Sequence, residues 1–258
     1  MGGSGSALAH EVWLDAESYT PATGDTIRAS LRNGERFGGV ELSYNPSSFE
    51  RFDVRTDGSE RPLAGRLGDR PAVTFPDAPN GLMTLIHQSD VSTLTYRVWA
   101  KFESFIEHKD FRWATDAHQA RGLPETGFKE AYARYVKALI GVGDGAGADA
   151  ATGLETEIVA LSNPYTEVTD SLPVLVLYQG APRRGAQVEL FDRGPDGAVT
   201  VSLHRTDDAG IAVLPVTPGH TYLADAVVLR EPDSARAKET GAVWETLWAA
   251  LTFAVPAR

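Results

Sequence analysis

The chain has 258 residues, with 24 Lys and Arg against 35 Asp and Glu, for a formal net charge of −11. An acidic chain without a basic block is a poor partner for nucleic acid or for an anionic membrane surface. It has no cysteine, which excludes a disulfide framework and every thiolate mechanism. No apolar run approaches the ~20 residues of a membrane span, so direct membrane insertion is not expected.

Residues 1–6 read as an expression leader. Ala7-Leu8-Ala9 has the small-x-small pattern after which a signal peptidase cuts, so residues 1–9 are set apart from the fold and the mature chain is expected to begin at His10. Short strands then follow at 11–14, 26–32, 40–44, 49–54, 72–75, 81–87 and 91–98, marked by alternation and by turns such as Asn33-Gly34 and Asn45-Pro46. Residues 100–106 place Phe102, Phe105 and Ile106 on one helical stripe. Phe128, Tyr132, Tyr135, Val136, Leu139 and Ile140 also follow helical spacing, which predicts a longer helix over 128–142. Glu130, Arg134 and Lys137 would then share a face of that helix as local ion pairs. A segment rich in glycine, alanine and aspartate, 143–153, is the linker.

From 154 onward the pattern returns to strands, at 173–178, 187–191, 199–204, 211–214, 222–229 and 244–255, with a polar loop over 231–241. The rhythm predicts a mainly β protein built of two immunoglobulin- or transthyretin-like β-sandwich domains. The first spans 10–153 and carries a helical insert at about 100–142; the second spans 154–258.

With cysteine absent, a site for copper, nickel or zinc must use imidazoles supported by carboxylates. There are six histidines. A histidine at a free amino terminus offers its α-amine and a ring nitrogen as one chelate, which suits copper or nickel, so His10 leads the candidates. His108 and His118 follow, both in the insert. On one straight helix they would lie about 80° apart in projection (~100° per residue), so a bend near Asp110 is required for both to reach one metal. Glu11 and Asp110 are the carboxylates placed to orient a ligating imidazole. His87, His204 and His220 read as turn or solvated-strand residues. Gly141-Val142-Gly143-Asp144-Gly145-Ala146 matches a dinucleotide fingerprint only in form, because no strand is expected before it and no helix after it.

The opening His10-Glu11-Val12-Trp13-Leu14 resembles the His-Glu-Phe-Trp start of a bacterial periplasmic family of unknown function, often described as a periplasmic component of cobalt or nickel uptake. The stretches Glu130 to Leu139, Leu154 to Val159 leading to Asn163-Pro164-Tyr165, and Trp244 to Phe253 are similar to the same family. The resemblance implies export to the periplasm, an all-β body with a helical insert, transition-metal handling (copper or nickel/cobalt), and membrane proteins of metal uptake as partners. The resulting expectation is a non-enzymatic metal-binding or delivery protein, its metal held by His10, His108 and His118 with Glu11 and Asp110. Two alternatives stand beside it: a mono-copper oxidative enzyme built on the terminal histidine chelate, and a metal-free interaction module.

Overall fold

The computed structural model describes residues 10–167 and 170–257, and the chain in it is mainly β. The leader and the Ala7-Leu8-Ala9 pattern lie outside the described residues. In chain order the elements are β1 (Glu11–Ala16), β2 (Ile27–Glu35), β3 (Gly38–Leu42), β4 (Phe49–Thr56), β5 (Ser59–Pro62), β6 (Val73–Phe75), β7 (Gly81–Ser89) and β8 (Ser92–Tyr96). Helices α1 (Trp99–His108) and α2 (Trp113–Ala120) follow, then β9 (Phe128–Val142), β10 (Thr156–Ala160), β11 (Ser171–Tyr178), β12 (Ala181–Pro182) and β13 (Gln187–Arg193). The last are β14 (Val199–Arg205), β15 (Ile211–Pro215), β16 (Thr221–Arg230), helix α3 (Ser234–Thr240) and β17 (Ala242–Ala254).

The described strands form three sheets. One runs β1-β2-β3 with β6 on β2, and one runs β10-β11-β12 with β15 on β11. The third runs β14-β13-β16-β17-β9-β7-β4-β5, with β8 on β9. This largest sheet mixes strands from before and after the 143–153 segment, so that segment does not divide the strands into two separate sets of sheets.

The chain also resolves into two compact units. Of the described residues, one gathers His10, Val91–Ala133 and Val227–Leu247; the other gathers those of 11–90, 134–226 and 248–257. Strands β9, β16 and β17 contribute residues to both. The larger unit holds two apolar clusters. One contains Trp13, Leu14, Phe52, Leu85, Phe191 and Leu223; the other contains Ile158, Val174, Leu190, Ala224, Leu251 and Phe253. Successive strand residues point to opposite faces, and β13 and β16 obey this. Phe191 and Leu223 face the first cluster, while Leu190 and Ala224 face the second. The smaller unit is aromatic. Phe102 of α1 packs on Tyr96 (5.1 Å between ring centres), Phe128 (5.2 Å) and Trp244 (6.1 Å). Its burial contributes roughly 1.5–3 kcal/mol.

The helix predicted over 128–142 is instead the fifteen-residue strand β9, paired with β7 from Gly81↔Val142 to Gln88↔Tyr135 and with β8 from Ser92↔Tyr132 to Tyr96↔Phe128. Phe128, Tyr132, Val136 and Ile140 recur every four residues, a spacing that satisfies a two-residue period as well as a helical one. β9 is also covered on both faces, with Val136, Ala138 and Ile140 in the first cluster and Leu139 in the second. Alternation, which would have marked the strand, is therefore lost. The helical segment within the predicted insert is thus α1 and α2 alone. The loop expected over 231–241 holds the short helix α3, capped by Asp233, whose side chain accepts from the Arg236 N–H, and ended by Gly241 in the left-handed conformation (φ 69°).

Candidate functional site

The expected histidine ligands are dispersed. α1 ends at His108, which is exposed, and Asp110 follows in a left-handed conformation (φ 66°) before α2 begins at Trp113. The bend required at Asp110 is present. His118, however, is fully buried among Trp99, Phe102 and Phe128. Its Nδ1 accepts from the Trp244 indole N–H at 3.0 Å, which fixes the tautomer, and its Nε2 stands 3.1 Å from the Pro124 carbonyl and donates to it. Both nitrogens are committed to holding α2 and the following turn on β17. Among the described residues, no group of three potential ligands brings together His10, His108, His118 or Asp110.

One such group exists among the described residues, and it contains the remaining candidate, Glu11, with Glu189 and Asp225. Each offers a carboxylate oxygen within 4.8 Å of the others. The strands explain the meeting. Glu189 on β13 and Asp225 on β16 are direct antiparallel partners, so their side chains leave the sheet side by side. They share that face with Phe191 and Leu223 and are thereby turned toward the apolar cluster that includes Trp13 of β1. Glu11 is two residues before Trp13 on the same strand and hence on the same face. It is paired in register with Gly34 of β2, where any side chain would collide with the Gly38 carbonyl. All three carboxylates are withdrawn from water, at 6%, 3% and 2% exposure respectively.

Further along the same face of the large sheet, Arg134 of β9 lies with its guanidinium carbon 4.2 Å from the centre of the Trp248 ring. Arg134 is in step with Val136 and Ala138, which belong to the first apolar cluster. His87 of β7 is in step with Leu85 on that face as well, packed edge-on to Phe52 (4.9 Å) and Phe49 (5.7 Å). Burial without a compensating charge lowers its pKa to about 4, so the ring is neutral at physiological pH.

Chemically, three carboxylates in one buried group are a hard, all-oxygen donor set. Divalent ions that prefer oxygen, such as calcium, magnesium and manganese, fit that set better than ions drawn to nitrogen or sulfur. Glu189 and Asp225 were not singled out from the sequence. The available signal was Asp225, a lone carboxylate inside the otherwise apolar run Leu223-Ala224-Asp225-Ala226-Val227-Val228-Leu229, because a strand covered on both faces has nowhere to expose it.

No helix among the described residues is long and apolar enough to cross a membrane. No curated protein matches the chain. Residues 7–230 match the family described as a domain of unknown function, DUF4198, and the chain belongs to that family.

Proposed function

We propose that the protein is a non-enzymatic divalent-cation binding or delivery protein of the periplasm, and that Glu11, Glu189 and Asp225 hold its ion. The observation that carries this reading is the convergence of three buried carboxylates from β1, β13 and β16 within 4.8 Å. Like charges so close repel one another, and a divalent ion turns that repulsion into attraction. Export is supported by the Ala7-Leu8-Ala9 pattern, and membrane uptake proteins as partners by the family resemblance. We read the antiparallel sheets as immunoglobulin- or transthyretin-like scaffolds that hold the carboxylates rigidly.

Copper, nickel or cobalt bound through the amine and ring of a terminal His10 is a separate proposal, and the donor chemistry separates the two. The carboxylate group favours manganese, calcium or magnesium; a terminal nitrogen chelate favours copper. The mono-copper enzyme needs a second imidazole; His118 spends both its nitrogens on Trp244 and Pro124, so of the two insert histidines that role would fall to the exposed His108.

Calorimetric titration with Mn(II), Ca(II), Ni(II) and Cu(II) tests both. Three proteins are needed: the chain with its leader, the chain beginning at His10, and the Glu189→Gln/Asp225→Asn variant. A carboxylate site binds Mn(II) or Ca(II) with or without the leader and loses it in the double variant. Equal titration of all three proteins by Mn(II) and Ca(II) would refute the site. Cu(II) bound at least tenfold tighter (about 1.4 kcal/mol) by the chain beginning at His10 would support the terminal chelate.

A further inference from the structure

Lys137, Asp149 and Glu157 form a second buried charge group within the larger unit. Lys137 projects from the face of β9 that carries Leu139, Asp149 comes from the 143–155 segment, and Glu157 from β10. The Lys137 Nζ stands 2.8 Å from Oδ1 and 2.9 Å from Oδ2 of Asp149, and 3.8 Å from Oε2 of Glu157. Side-chain exposure is 1%, 1% and 2%. Backbone N–H groups also grip the Asp149 carboxylate: Ala150 donates to Oδ1 and Ala160 to Oδ2, each at 2.9 Å. The Glu157 carboxylate accepts from the Thr152 N–H and hydroxyl and from the Gly153 N–H.

We propose that Lys137 and Asp149 become joined by an intramolecular isopeptide bond, with Glu157 as the proton carrier. Three features of the group argue for it. The amine and the carboxyl group are already in contact, so the reaction is unimolecular and its orientational entropy is spent in folding. Each Asp149 oxygen accepts one backbone N–H, so whichever oxygen stays on the carbon keeps a donor to stabilise the oxyanion that forms when the carbonyl carbon is attacked. Glu157, whose Oε2 lies 3.8 Å from the nitrogen, is the second carboxylate facing it, and we assign to it the transfer of a proton from nitrogen to the departing oxygen once the two draw within hydrogen-bond reach.

The balance is that of a simple condensation. The ammonium and carboxylate carry opposite charges that cancel. A bond forms between Nζ and Cγ, one Cγ–O bond breaks, and that oxygen leaves as water with two of the three ammonium protons. The third stays on the amide nitrogen, and no oxidant or co-reactant is needed. The product ties the 143–155 segment covalently to β9, across twelve positions of sequence.

Intact-mass spectrometry of the denatured full chain tests the bond directly. The expected mass is that of the sequence less one water molecule, with the Asp149→Ala protein, at its full calculated mass, as the reference for N-terminal processing. Cleavage before Asp144 should leave the peptides that carry Lys137 and Asp149 joined. The Glu157→Gln protein, shown to be folded by circular dichroism, should run at its full mass. A wild-type chain at full sequence mass overturns the proposal, and a Glu157→Gln chain as dehydrated as the wild type overturns the role given to Glu157.

Discussion

Two buried charge groups of the larger unit make opposite uses of the same ingredient. Lys137 brings its own cation to Asp149 and Glu157, and every carboxylate oxygen there meets a donor from the chain. Glu11, Glu189 and Asp225 instead bring three carboxylates together. The first group is a closed arrangement that the fold completes by itself. The second is the group we propose as the seat of an ion from outside. Sequence distance follows the same division. Lys137, Asp149 and Glu157 span 21 positions of chain, whereas the acids come from strands at opposite ends of it.

The largest effect is expected where the closed group is opened. Lys137→Met removes the amine that meets Asp149, whether as ion pair or as amide, and leaves Asp149 and Glu157 buried together without it, which should cost at least about 3–5 kcal/mol in urea unfolding. A loss no greater than that of a surface substitution would mean that the group is not closed in this way.

His87 probes buried charge from the other side, as a group kept neutral. Its ordinary pKa of 6.5 drops to about 4 in the fold because burial disfavours the imidazolium. Below pH 6.5 the unfolded chain therefore holds more protons than the folded one, and stability falls as pH falls. The loss reaches about 3 kcal/mol by pH 4 and levels off about a unit below it. Denaturant unfolding across pH 4–7 should show that slope in the wild type and a flatter one in His87→Leu.

A smaller effect distinguishes the two faces of β9. Arg134 and Lys137 are three residues apart, so their side chains leave opposite faces of the strand. Arg134→Leu gives up the stacking on Trp248, worth about 2 kcal/mol when shielded from water. Its cost in the same urea assay should fall below that of Lys137→Met; the reverse order would shift the structural weight to the carboxylate face.

Much of the β framework could be read from the chain, because most strands keep one face apolar and are bounded by glycine, proline or asparagine turns. The first helix was legible for the same reason, with Phe102, Phe105 and Ile106 on one stripe. β9 was not, since residues four apart suit both periods and both of its faces are covered. The candidate site was legible at one residue of three. Glu11 stood out beside His10, while Glu189 alternates in β13 as an exposed residue would. Only the pairing of β13 with β16 puts Glu189 opposite Asp225. His118 looked like a ligand, and its neighbours in the aromatic core could not be foreseen from spacing, because Trp244 lies 126 positions away.

The most direct measurement is the thermal unfolding midpoint with and without added divalent ion, in the wild type and in Glu189→Gln/Asp225→Asn. A ligand that binds only the folded chain raises its stability by mass action. Manganese or calcium should raise the wild-type midpoint in proportion to the logarithm of its concentration and leave the double variant unmoved. A wild-type midpoint indifferent to these ions, or an equal rise in both proteins, would contradict the assignment of the three carboxylates as a cation site.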